Sequence, residues 1–133
     1  MNLPGMESIG MLKENERVRV ERVISATKDY FGNNATAFYV TPETEDKSLC
    51  VECLLYRSFK VGFYLGNPEK RRTFSFVVAV YISYKSESLE MLMDTDDLPA
   101  GDDRESILQN LKALDTYLQW CMTDAQKKTF GFA

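Results

Sequence analysis

Three groupings of residues have the types and spacing that chemistry uses. Cys50 and Cys53 form a Cys-x-x-Cys, the spacing of half a zinc site or of a thioredoxin-type redox pair. Asp94, Asp96, Asp102 and Glu105 fall at positions one, three, nine and twelve of an EF-hand loop, where carboxylates would cage calcium. Lys70, Arg71 and Arg72 stand near Tyr64, Phe74 and Phe76, a mixture of bases and aromatic rings that can neutralise phosphates and stack nucleobases.

Each grouping meets a physical objection. The two cysteines lie in SLCVECLLY, which reads as a strand, so their three-residue spacing sends the thiols to opposite faces. Cys121 is the remaining cysteine and the chain has no histidine to complete a usual tetrahedral set. In the acidic segment Leu98 stands where position five needs an oxygen ligand, and Pro99 replaces the glycine of position six. Asp102 to Glu105 reads instead as a helix start, with Asp102 accepting from exposed backbone N–H groups and Glu105 reaching back. Phe74 and Phe76 belong to the face of their strand that the alternation assigns to the core, and the sequence pI of about 4.9 opposes binding to a polyanion. No metal and no cofactor is expected.

Without histidine the chain lacks the commonest general base near neutral pH and the usual partner of a nucleophilic serine or cysteine. It also carries no Gly-x-Gly-x-x-Gly, no Walker-type phosphate loop and no Gly-x-Ser-x-Gly. Catalysis by carboxylates alone would need a concave apolar site that lifts one pKa, whereas most acids here look loop-borne and solvated. The expectation is that the protein is not an enzyme, with a carboxylate-based enzyme as a remote alternative.

Charge is segregated along the 133 residues, whose net value is −4. Between Ser86 and Glu105 eight acids face Arg104 alone, a local charge of −7, which leaves the rest of the chain at +3. Such an acidic loop can fold onto its own body, repel nucleic acid or present a negative patch to a basic partner. The opening MNLPGMESIGMLK has no basic start before an apolar block, and the apolar run from Phe74 to Ile82 is far too short to cross a bilayer. With an odd number of cysteines and no disulfide framework implied, a cytoplasmic protein without a membrane segment is expected.

The elements that must position these residues are legible from periodicity. In RTFSFVVAVYISYK, residues Phe74, Phe76, Val78, Val80, Ile82 and Tyr84 alternate with Thr73, Ser75, Val77, Ala79, Tyr81 and Ser83. The first set is core. The second is small and half apolar, suited to a second layer, a close backbone or a partner. Fourteen residues are long for one strand, so a bend, a bulge or an overhang is expected. Thr36 to Thr41, Leu49 to Tyr56 and Phe59 to Leu65 are further β-rich runs, and Gly66 to Lys70 marks a turn between two of them. Arg17 to Ala26 carries both periods, with strand narrowly favoured. Ile107, Leu108, Leu111, Leu114, Leu118, Cys121, Met122 and Ala125 form one stripe of a helix from Asp103 to about Lys127. Trp120 lies nearly opposite that stripe, near Tyr117. Either the tail Phe130-Gly131-Phe132 or the N-terminal arm covers it, or it is an aromatic anchor for a partner.

The fold class is therefore α+β, an antiparallel sheet of about four to six strands with one long C-terminal amphipathic helix on one face. Residues 1–15 form an arm, 16–127 a single domain with its acidic loop at 86–105, and 128–133 a tail. The function expected is protein binding: a regulator of the inhibitor, immunity, adaptor or chaperone-like class, using Asp94, Asp96, Asp97, Tyr117 and Trp120 against a partner with a basic surface, with a second copy of the chain as the other candidate for the aromatic contact. The alternative is nucleic-acid binding through Lys70, Arg71, Arg72 and Tyr64.

Overall fold

Val20, Val23, Ile24, Thr27 and Phe31 recur every three or four residues and are all buried, which makes the N-terminal segment a helix, α1, over Glu14–Phe31. The strand reading of residues 17–26 is thus corrected. Val18 and Val20 alternate over too short a distance, whereas the helical period runs on to Phe31. Glu16 accepts from the Lys13 backbone N–H at the start, and Gly32, at φ +58°, ends the helix in a conformation that side chains rarely adopt. The chain is seen as a computed structural model that describes residues 12–67, 69 and 74–132. Most of the expected arm, residues 1–11, lies outside these, and α1 begins at Glu14, before the expected domain boundary.

Five strands follow as a simple antiparallel meander in the order β1-β2-β3-β4-β5: Ala35–Thr41, Leu49–Leu55, Phe59–Leu65, Phe76–Ile82 and Lys85–Ser88. A bulge interrupts the β1–β2 register between Thr36 and Tyr39, with Ala37 at φ +56°. The long strand expected from Arg72 to Lys85 is divided. Ser83 and Tyr84 form a two-residue turn between the paired Ile82 and Lys85, so Tyr84 is 92% exposed and Ile82 is also exposed, rather than in the core. Of the expected core face, Phe76, Val78 and Val80 are buried.

After β5 the acidic segment is not all loop, since α2 spans Leu89–Met93 with Ser88 capping it. The C-terminal helix stops earlier than expected. Helix α3 covers Arg104–Cys121, the chain is extended at Met122, and a new cap at Thr123 starts α4, Asp124–Thr129. The N-cap of α3 is Asp103, which accepts from the Ser106 backbone and hydroxyl; Asp102, expected in that role, pairs with Arg19 instead. Ile107, Leu111, Leu114, Leu118 and Met122 are buried as the stripe requires, Leu108 is partly buried, and Cys121 and Ala125 are exposed because the helix breaks between them.

Both long helices cover the same face of the sheet. Val20, Val23 and Ile24 of α1 and Ile107, Leu111, Leu114 and Leu118 of α3 share one core with Val40, Val51, Leu55, Phe63, Phe76 and Val78. The two helices are joined by Arg19–Asp102, by Asp29–Arg104 at 2.6 Å and by Tyr30–Asp115, where the tyrosine hydroxyl donates over 3.1 Å. The molecule is therefore a two-layer α+β fold.

Candidate functional site

Strand alternation puts a second set of side chains on the sheet face away from the helices: Tyr39 and Thr41 on β1, Cys50, Glu52 and Leu54 on β2, Lys60, Gly62 and Tyr64 on β3, and Val77, Ala79 and Tyr81 on β4. Among the described residues no helix covers this face. It is the small, half-apolar side noticed in the sequence around Val77, Ala79 and Tyr81.

The centre of the face is built around Gly62. A Cβ there would come within 3.2 Å of both the Tyr64 and the Tyr81 ring, so the missing side chain lets the two rings settle against the backbone. Their hydroxyls meet at 2.9 Å. The Glu52 carboxylate lies beside Tyr81 in the same hollow. Burial first, then the Tyr64 hydroxyl and the Glu52 carboxylate, raise the Tyr81 pKa well above the ordinary phenol value.

Lys60 completes the cluster. Its ammonium lies 3.3 Å from Glu52 Oε2 and 4.8 Å from the centroid of the Tyr81 ring, while its side chain stays largely exposed. Glu52, by contrast, is 18% exposed and flanked by two hollows. One, of about 460 Å³, is lined by Ala37, Tyr39, Cys53, Leu54 and Lys60, and the other, of about 430 Å³, by Thr41, Asp46, Lys47, Ser48, Cys50, Tyr64 and Tyr81. Tyr39, which stands directly opposite Glu52 in the β1–β2 register, is 49% exposed.

The two thiols of the Cys-x-x-Cys contribute no reactivity to this face. Cys53 is in the core and Cys50 lies under the tyrosines, on opposite faces as their spacing requires. Burial pushes both from the ordinary value of 9.0 to about 12, so neither presents a thiolate at neutral pH. Among the described residues no three histidine, cysteine or acidic side chains group in a way that would hold a metal ion.

The residues singled out from sequence are scattered. Asp94 ends α2 in a left-handed conformation, and Asp96 and Asp97 follow it, all exposed. Trp120 is 66% exposed on the helical layer, remote in kind from the sheet face, and Tyr117 beside it is half-buried against the core. Among the described residues no hydrogen bond or ion pair joins the three acids to either aromatic. The tail does not cover Trp120; Phe130 and Phe132 pack on Tyr56 instead, at ring separations of 5.1 and 5.6 Å. Lys70, Arg71 and Arg72 lie outside the described residues, which leaves Tyr64 as the placed member of that set.

Sequence reasoning missed Glu52, Lys60 and Tyr39. The signal was present, since Glu52 interrupts LCVECLL and Lys60 interrupts FKVGFYL at positions that alternate with core residues. What was not visible is that two separate strands place the acid and the base on one diagonal. Comparison of the chain with protein-family models, with characterised proteins and with solved structures gives no match.

Proposed function

We propose that this chain is a non-enzymatic protein-interaction module that binds and regulates a macromolecular partner through the uncovered face of its sheet. The observation that carries this reading is the face itself: a pre-formed platform of Tyr39, Leu54, Tyr64 and Tyr81 around one partly buried ion pair. Aromatic side chains anchored at a concave centre are what protein interfaces use for their strongest contacts. The class remains that of inhibitors, immunity proteins, adaptors or chaperone-like escorts. Asp94, Asp96 and Asp97 would then steer a basic partner, and Trp120 would serve as a separate apolar contact.

The test is affinity capture from the source cell with the intact chain and with Tyr39→Ala and Leu54→Ser variants. Capture that depends on Tyr39 and Leu54 supports the sheet face. Capture that survives both and disappears with Trp120→Ala would move the interface to the helical layer.

Nucleic-acid binding is the second reading, favoured by the placement of Tyr64 beside Tyr81 and Lys60 on an exposed sheet. A central carboxylate opposes it, because a phosphate crossing the face would meet Glu52.

A further inference from the structure

We infer that Glu52 is the floor of a seat for a cation, and that the partner delivers an arginine or lysine side chain into it from an extended segment lying across the sheet. This rests on the sheet face being the interface. Among the described residues Glu52 is the one acid on the strands of that face, at its centre, while Asp46 and Lys47 of the β1–β2 loop sit at the rim of the second hollow. The seat already contains a cation of the protein's own, since Lys60 reaches Glu52 at 3.3 Å with its ammonium above the Tyr81 ring. That lysine is a place-holder. Its side chain is 58% exposed, so it can swing into water with little loss, whereas the 18% exposed Glu52 needs a replacement charge.

The apolar hollow beside Glu52 fits the rest of such a side chain. Ala37 and Leu54 can take the methylenes, and the Tyr39 ring, opposite Glu52 across β1 and β2, can offer a face to a guanidinium. An arginine fork can also address both carboxylate oxygens, which the single ammonium of Lys60 cannot do as well. The Glu52 carboxylate favours a basic side chain in the hollow and disfavours an acidic one. The same carboxylate disfavours a nucleic-acid strand.

The experiment is a titration of the isotope-labelled full chain, read by amide shifts, with an alternating valine–arginine hexapeptide, its valine–glutamate counterpart and a short oligo-uridylate. The arginine peptide is expected to move the signals of Tyr39, Glu52, Leu54 and Lys60, with affinity falling about tenfold or more in Glu52→Gln and rising in Lys60→Ala, where the place-holder is gone. Equal response to both peptides, an arginine response indifferent to Glu52→Gln, or shifts on this face with oligo-uridylate alone would overturn the inference. So would the same signals moving with protein concentration before any peptide is added, which would make a second copy the occupant. The two readings separate cleanly. If capture of the cellular partner depends on Tyr39 and Leu54 but not on Glu52, the interface stands and the cation seat is wrong; if it depends on none of them, both fail.

Discussion

Tyr56 shows how single residues are held in conformations their own chemistry disfavours. It lies in the β2–β3 turn at φ +51°, followed by Arg57 at φ +57°, and neither is glycine. Its backbone N–H donates to Asn34 over 2.9 Å, its hydroxyl donates to Asp115 over 2.6 Å, and its ring is packed by Phe31, Phe130 and Phe132. Removing the hydroxyl in Tyr56→Phe is expected to cost about 1–2 kcal/mol, read as a lower urea midpoint. A second expectation concerns alkaline pH. Burial, then the Asp115 charge, lifts Tyr30 from 10.0 to about 12, and burial lifts Cys50 and Cys53 from 9.0 to about 12. The folded chain therefore keeps these protons after the unfolded chain has released them, so their contribution is full below the unfolded values. Stability should be level up to about pH 9 and fall from there to about pH 12, which urea midpoints at about pH 8 and about pH 11 would show.

Helix α3 carries the contrast between structural and surface residues at the scale of an element. Leu111, Leu114 and Leu118 have no exposed surface, whereas Trp120, two residues beyond Leu118, is mostly exposed. Leu114→Ala is expected to cost about 2–5 kcal/mol through the cavity it leaves. Trp120→Ala should change stability by no more than about 0.5 kcal/mol, and a large loss by denaturant titration would mean that the indole is part of the core. The helix ends before its apolar spacing does, because that spacing runs on through Met122 and Ala125 while Thr123 offers a cap, and capping wins. The opposite happened in α1, where the length of the helical period, not any single residue, outweighed the local alternation of Val18 and Val20.

At the scale of the whole molecule, placing both long helices on one side leaves the other side of the sheet without a second layer among the described residues. Tyr39→Ala alters the exposed side and should leave the denaturation midpoint within about 1 kcal/mol of the parent while weakening partner capture. An oligonucleotide should not be retained at low salt by a protein that uses this face for a cationic peptide. Retention with a steep salt dependence would favour the nucleic-acid reading.

Periodicity by itself determined the first four strands, the buried stripe of α3, the succession of β3 and β4 as a hairpin and the opposite placement of Cys50 and Cys53, because each depends on neighbours a few residues away. It also marked Val77, Ala79 and Tyr81 as a face set apart from the core. The tertiary structure decided the rest. Whether Glu52 and Lys60 meet depends on the β2–β3 register, whether the Tyr81 ring settles beside Glu52 depends on Gly62 being bare, and whether that face stays open depends on α1 joining α3 on the opposite side. Those are relations between distant segments, fixed by packing, and no local pattern of residues encodes them.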